Sequence, residues 1–113
     1  MHSYSLDGFL RHSDRVEQIR KHDVRPGDRL LVKTCNSVYS ILMSQNGECT
    51  VTGGWFDRKG VSPMRTRIAG CTWGGSVINM NMIAARGLRM EFGNRLVTTS
   101  IQSVFVLPVG TDN

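Results

Sequence analysis

The apolar positions of this chain change period once, near Arg29. Before it, Leu6, Phe9, Leu10, Val16 and Ile19 fall on one half of a helical wheel, with Arg11, Asp14, Arg15 and Gln18 largely elsewhere. That spacing predicts helical structure over residues 5–22. Ser13 is placed to cap a second helix from Asp14 to Lys21, in which case residues 5–12 form a separate turn or short helix. Lys21 and His22 suit the negative end of a helix dipole, and Arg25-Pro26-Gly27-Asp28 stops the helix and turns the chain.

From Arg29 onward the period is two, the mark of strands with alternating faces. Strands are predicted over 29–35, 38–45, 48–56, 63–72 (weakened by Gly70), 88–92, 95–99 and 101–107. Asp57-Arg58-Lys59-Gly60 reads as a turn. Leu88, Met90 and Phe92 share one face, with Arg89 and Glu91 on the other. Gly93-Asn94 reads as a two-residue hairpin loop, and Thr99-Ser100 as a break before the last strand. Residues 76–86 stay open. Ser76 as cap and Gly87 as terminator favour a helix, while the alternation of Asn79 and Asn81 with Met80 and Met82 favours a strand; irregular or short helical structure is the slight preference. Residues 108–113 form a loose tail.

The strongest local signal is Gln45-Asn46-Gly47-Glu48. Both central residues of a type I′ turn need positive φ, which Asn tolerates and Gly adopts freely. A two-residue loop there sets Gln45 against Glu48, Leu42 against Val51 and Val38 against Trp55. Val38, Leu42, Val51 and Trp55 then share the core face. On the other face Tyr39 lies over Gly54 beside Ile41 and Thr52. That second face is still half apolar, as is Val104-Phe105-Val106-Leu107. Strands apolar on both sides need cover on both, so self-association is expected.

Composition narrows the class. With 113 residues the chain is one domain, residues 1–113, with a β-barrel over 29–107. No apolar run approaches the roughly 20 residues that span a bilayer, and no basic region precedes an apolar core at the N-terminus, so neither membrane partner nor secretion signal is expected. Cys35, Cys49 and Cys71 are an odd set with no C-x-x-C spacing. They read as reduced thiols of a cytoplasmic protein rather than disulfide or zinc ligands. Net charge is +5, with seven Lys/Arg against five Asp/Glu in residues 1–33 and seven against four in the remainder, so there is no basic tail.

A helical N-terminus, Arg25-Pro26-Gly27-Asp28-Arg29-Leu30 leading into a first strand, a meander, a hairpin, and Val97-Thr98-Thr99-Ser100-Ile101 before a last strand: this order resembles the small β-barrels of the Sm-like kind. It also resembles small bacterial proteins of unassigned function. The resemblance covers about two thirds of the chain and rests on turn chemistry. It implies a mainly β barrel of about five to seven short antiparallel strands behind an N-terminal helix. The chain departs from Sm proteins in lacking Asp/Asn-Gly loops placed to line an RNA pore, and in its extra segment Trp73 to Gly87, so RNA binding is not carried over.

Candidate chemistry is sparse. The histidines, His2, His12 and His22, are all in the N-terminal fifth and none lies in a stretch that reads as a cleft. Five of nine carboxylates are in residues 1–33, and Glu91, the one within a strand, alternates outward. No cofactor, metal or catalytic residue is predicted. Trp73-Gly74-Gly75-Ser76 has the composition of an anion nest, in which Gly74, Gly75 and Ser76 would offer backbone N–H groups. The basic and aromatic residues Arg58, Lys59, Arg65, Arg67 and Trp73, following Trp55 and Phe56, have the composition of a single-strand nucleic-acid surface. Their plainer reading is a solvated, charged strand edge that blocks aggregation. The expectation is a non-enzymatic, self-associating binding or assembly module of cytoplasmic location, with single-stranded nucleic-acid binding as the alternative.

Overall fold

Residues 14–74 and 77–110 are described by a computed structural model of the chain. The N-terminal positions 1–13, with Ser13, and the tail 111–113 lie outside the described residues, as do Gly75 and Ser76. The protein is mainly β, as expected, with ten strands among the described residues. They are β1 (Asp14–Val16), β2 (Gln18–Arg20), β3 (Arg29–Thr34), β4 (Val38–Met43), β5 (Glu48–Gly53), β6 (Met64–Thr72), β7 (Ile78–Asn79), β8 (Met82–Ala85), β9 (Arg89–Phe92) and β10 (Ile101–Leu107). A short helix, α1 (Gly54–Arg58), joins β5 to β6.

One antiparallel sheet runs β1-β10-β3-β4-β5-β6-β7, with β9 also paired to β6. It curls into a half-barrel around a core of Leu30, Val32, Tyr39, Ile41, Val51, Phe56, Ile68, Met90, Phe92, Ile101 and Val104. A second, two-stranded sheet of β2 and β8 closes its open side, and all four residues of β8 are buried. At the centre, the Phe56 and Phe92 rings meet edge-to-face at 5.1 Å between centroids, and Tyr39 lies 5.7 Å from Phe92.

The helix predicted through residues 14–22 is replaced by β1, β2 and a single 3-10 turn at Lys21–Asp23. The chain bends at Glu17, which resets the alternation of faces. Val16 and Ile19, three apart, therefore both meet the core, which imitates a helical period.

The Asn-Gly turn has the predicted form. Asn46 sits at φ 61°, ψ 31°, Gly47 at φ 75°, and the Glu48 N–H donates to the Gln45 carbonyl. The register does not. Ser44 N–H donates to the Glu48 carbonyl at 2.7 Å, so Gln45 is an extra residue ahead of the turn. Ile41, not Leu42, pairs with Val51, and Tyr39 pairs with Gly53. A one-residue slip exchanges the faces of one strand. Tyr39, Ile41 and Met43 are core; Val38 and Leu42 point outward. Tyr39 still covers Gly54, where an added Cβ would lie 2.6 Å from the ring. The strand predicted to reach Phe56 ends at Gly53, and Trp55 is half-buried in α1.

Residues 77–86 are extended, not helical: β7, a turn at Met80-Asn81, then β8. The predicted second hairpin has a three-residue loop, Gly93-Asn94-Arg95, with Arg95 at φ 69°, and its second arm, read as a strand over 95–99, makes only a single bridge among the described residues, from Val97 to Glu91. The turn at 25–28 is closed by Asp28, a carboxylate on a residue only 4% exposed. It accepts the Arg25 N–H at 2.9 Å and the Val109 N–H at 2.8 Å, so the chain is tied down two residues past β10. β10 is apolar on both faces, as predicted. Val104 and Val106 face the core while Phe105 packs with Leu31 and Leu107 outside it. That outer pair is already covered within one chain, with Leu31 at 8% and Leu107 at 2% exposure.

Candidate functional site

The nine residues of β6 have more edge than their neighbours fill. β5 pairs with Met64 to Arg67 and β7 with Cys71 and Thr72, so Ile68, Ala69 and Gly70 have partners on neither of those strands. A cleft of about 500 Å³ opens at this gap. Its walls are largely apolar: Val24, Met43, Ile68, Ile78, Met80 and Ile83. Lys21, Arg67 and Glu91 bring charge to it. Lys21 is delivered by the 3-10 turn after β2, and its Nζ donates to the Ala69 carbonyl at 3.0 Å. Glu91 is held across from Gly70 by the β6–β9 register. Its outward alternation, read from sequence as solvent exposure, points to this half-buried position.

Arg65 and Arg67 share one exposed face of β6, and both are ion-paired to Glu48 on β5. Arg67 also donates to the Asn46 carbonyl at 2.6 Å. Hydrogen bonding from Arg65, then its charge and that of Arg67, hold the Glu48 carboxyl below its ordinary range. Arg58 is elsewhere: its Nη1 donates to Ser37 Oγ at 3.1 Å, at the other end of the β4–β5 hairpin from Asn46. With six residues in β4, that separation is about 20 Å. Lys59 follows Arg58 at the end of α1. The four cations therefore form two separate pairs rather than one groove.

Trp73 lies past the far end of β6 and is 82% exposed. With Val77, 77% exposed, it borders a second cleft of about 330 Å³ that Gln18, Cys71, Met82, Arg86 and Leu88 help to line. The Gly74 N–H donates to Thr72 Oγ1 at 3.1 Å, so it does not point outward as a nest would require. Gly75 and Ser76 lie outside the described residues.

Two of the three thiols offer little reactivity. Cys49 and Cys71 are buried, and burial pushes each up to about 11; Cys35 is exposed. His22 is exposed, 3.3 Å from Asp23. Among the described residues no three His, Cys, Asp or Glu side chains gather as metal ligands, and no helix is long and apolar enough to cross a membrane.

Sequence reasoning missed Lys21 and the apolar walls of the larger cleft. The signal for Lys21 lay in a segment read with the wrong period. No family model, no curated protein and no solved structure matches this chain.

Proposed function

We propose that this protein is a non-enzymatic small β-barrel module that self-associates through the surface around β7. The observation that carries the reading is the exposure of large apolar side chains in one short stretch: Trp73 at 82%, Val77 at 77% and Met80 at 66%. Exposed apolar patches of this kind mark interaction surfaces in soluble proteins. The contact sits here rather than on β10, whose outer Leu107 is buried within the chain together with Leu31 of β3. A Sm-like relationship is supported by the turn at 25–28 leading into β3 and by the break at Thr99-Ser100 before β10.

Light scattering tests the proposal. The wild type at high micromolar concentration should return a multiple of 12.6 kDa, and Trp73→Ser should return the single-chain mass. A wild-type mass of one chain would overturn the reading.

A second reading, a single-strand nucleic-acid surface, is favoured by the shared face of Arg65 and Arg67. Their common ion pair with Glu48 cancels part of that charge. Anisotropy of labelled single-stranded DNA or RNA at low salt decides it. No change at tens of micromolar protein removes this alternative.

A further inference from the structure

The larger cleft presents one cation and one anion that the fold leaves without ionic partners. Lys21 donates to a neutral carbonyl, that of Ala69, and has no carboxylate within 4.0 Å among the described residues. Glu91 is half-buried, and its carboxylate accepts no hydrogen bond or ion pair among them. Both groups reach the same piece of β6, Lys21 at Ala69 and Glu91 opposite Gly70, yet they do not pair with each other. Arg67, two residues before Ala69, is already committed to Asn46 and Glu48. The same cleft is lined by Ile68, Ile78, Ile83 and Met43, and by Met80, which is 66% exposed.

We propose that this cleft binds a short apolar peptide with both termini free. Its carboxylate would meet Lys21, its ammonium would meet Glu91, and its aliphatic side chains would fill the space between β6 and β7. A volume of about 500 Å³ lies within the usual range of small-ligand sites, roughly 300–1,000 Å³. A fatty acid would use Lys21 but leave Glu91 unpaired beside its own carboxylate. A nucleic-acid strand would meet Glu91 with a phosphate and leave the apolar walls unused. A zwitterion with an apolar body uses every group present.

Calorimetric titration with leucyl-leucine tests this, alongside its N-acetylated and C-amidated forms and sodium decanoate. Lys21→Met and Glu91→Gln are the variants, with circular dichroism to verify their fold. Blocking either terminus should weaken binding about tenfold, the size of one ionic contact of roughly 1.4 kcal/mol. Amidation should have no further effect on Lys21→Met, and acetylation none on Glu91→Gln, because each pair has then already lost its partner. Absence of heat with leucyl-leucine at millimolar concentration overturns the proposal. So does equal binding of free and blocked peptides. Tighter binding of decanoate, improved by Glu91→Gln, would replace it with a site for anionic amphiphiles.

Discussion

Replacing Asp28 with Ala removes the carboxylate that holds the turn at 25–28 to the end of the chain. The residue is 4% exposed and accepts two backbone N–H groups, from Arg25 at 2.9 Å and from Val109 at 2.8 Å. A hydrogen bond to a charged acceptor contributes about 1.5–3 kcal/mol net. Arg25 and Val109 are surface residues, so water reaches the freed N–H groups, and the lower end applies to each. The expected loss is therefore about 3 kcal/mol, a large share of the roughly 5–15 kcal/mol that holds a domain folded. Asp28→Asn keeps one acceptor oxygen but turns an NH₂ toward the other donor, so it should lose about half as much. Urea unfolding followed by tryptophan fluorescence reads both. The midpoint should fall by about 1–3 M for Ala at an unchanged slope. A loss below about 1 kcal/mol for Ala, or an Asn variant as stable as wild type, would refute the account of this carboxylate as a two-sided tie.

Gly47→Val forces a β-branched residue into φ 75° and should cost on the order of 1–2 kcal/mol; its Cβ would meet an arginine tip 3.4 Å away, ordinary contact rather than a clash, so unchanged thermal stability would dispose of the strain argument. Gly70→Ala places a methyl 2.3 Å from the Asn79 carbonyl and should separate β7 from β6, at about 1–3 kcal/mol; amide hydrogen exchange that stays slow at Asn79 would contradict this. Ellman's reagent near neutral pH should modify Cys35 alone in the native protein and all three thiols after denaturation; rapid modification of Cys49 or Cys71 would contradict their burial. Glu48 has a folded-state value below its ordinary 4.5, so its stabilisation is fully present above that pH and is lost as pH falls through the lower folded value. Chemical denaturation across acidic pH should show wild type losing more stability than Glu48→Gln below 4.5, and parallel curves would count against the Arg65 contact.

Features set by two to four neighbouring residues were legible in the sequence. The positive φ of Asn46 and Gly47, the Pro-Gly-Asp turn, the alternation of Leu88, Met90 and Phe92, and the break at Thr99-Ser100 all follow from local sterics and all have the expected form. Features that depend on which hydrogen bond wins among near equivalents were not. The β4–β5 register turns on whether Ser44 or Gln45 meets Glu48, and nothing in the composition of those residues distinguishes the two. Once Ser44 wins, Tyr39 and Ile41 enter the core and Val38 and Leu42 leave it. The N-terminal segment failed for a related reason. A bend at Glu17 gives two short strands the three-residue spacing of a helix, and only tertiary pairing with β10 and β8 separates the cases.

The larger cleft exists because of those same non-local choices. β5 stops pairing at Arg67 since its own start is set by the Asn46-Gly47 turn. β7 approaches β6 only at Cys71 and Thr72, and that approach needs Gly70, whose missing side chain admits the Asn79 carbonyl. The bend at Glu17 sends the chain from β10 across to β8 and so carries Lys21 to the stretch of β6 that neither β5 nor β7 covers, where it bonds the Ala69 carbonyl. The register of β9 places Glu91 there as well. Each of these residues taken alone reads as surface charge or turn chemistry. Their meeting at one cleft is a consequence of topology, which is why a chain with no chemical motif still presents apolar walls flanked by one cation and one anion without ionic partners among the described residues.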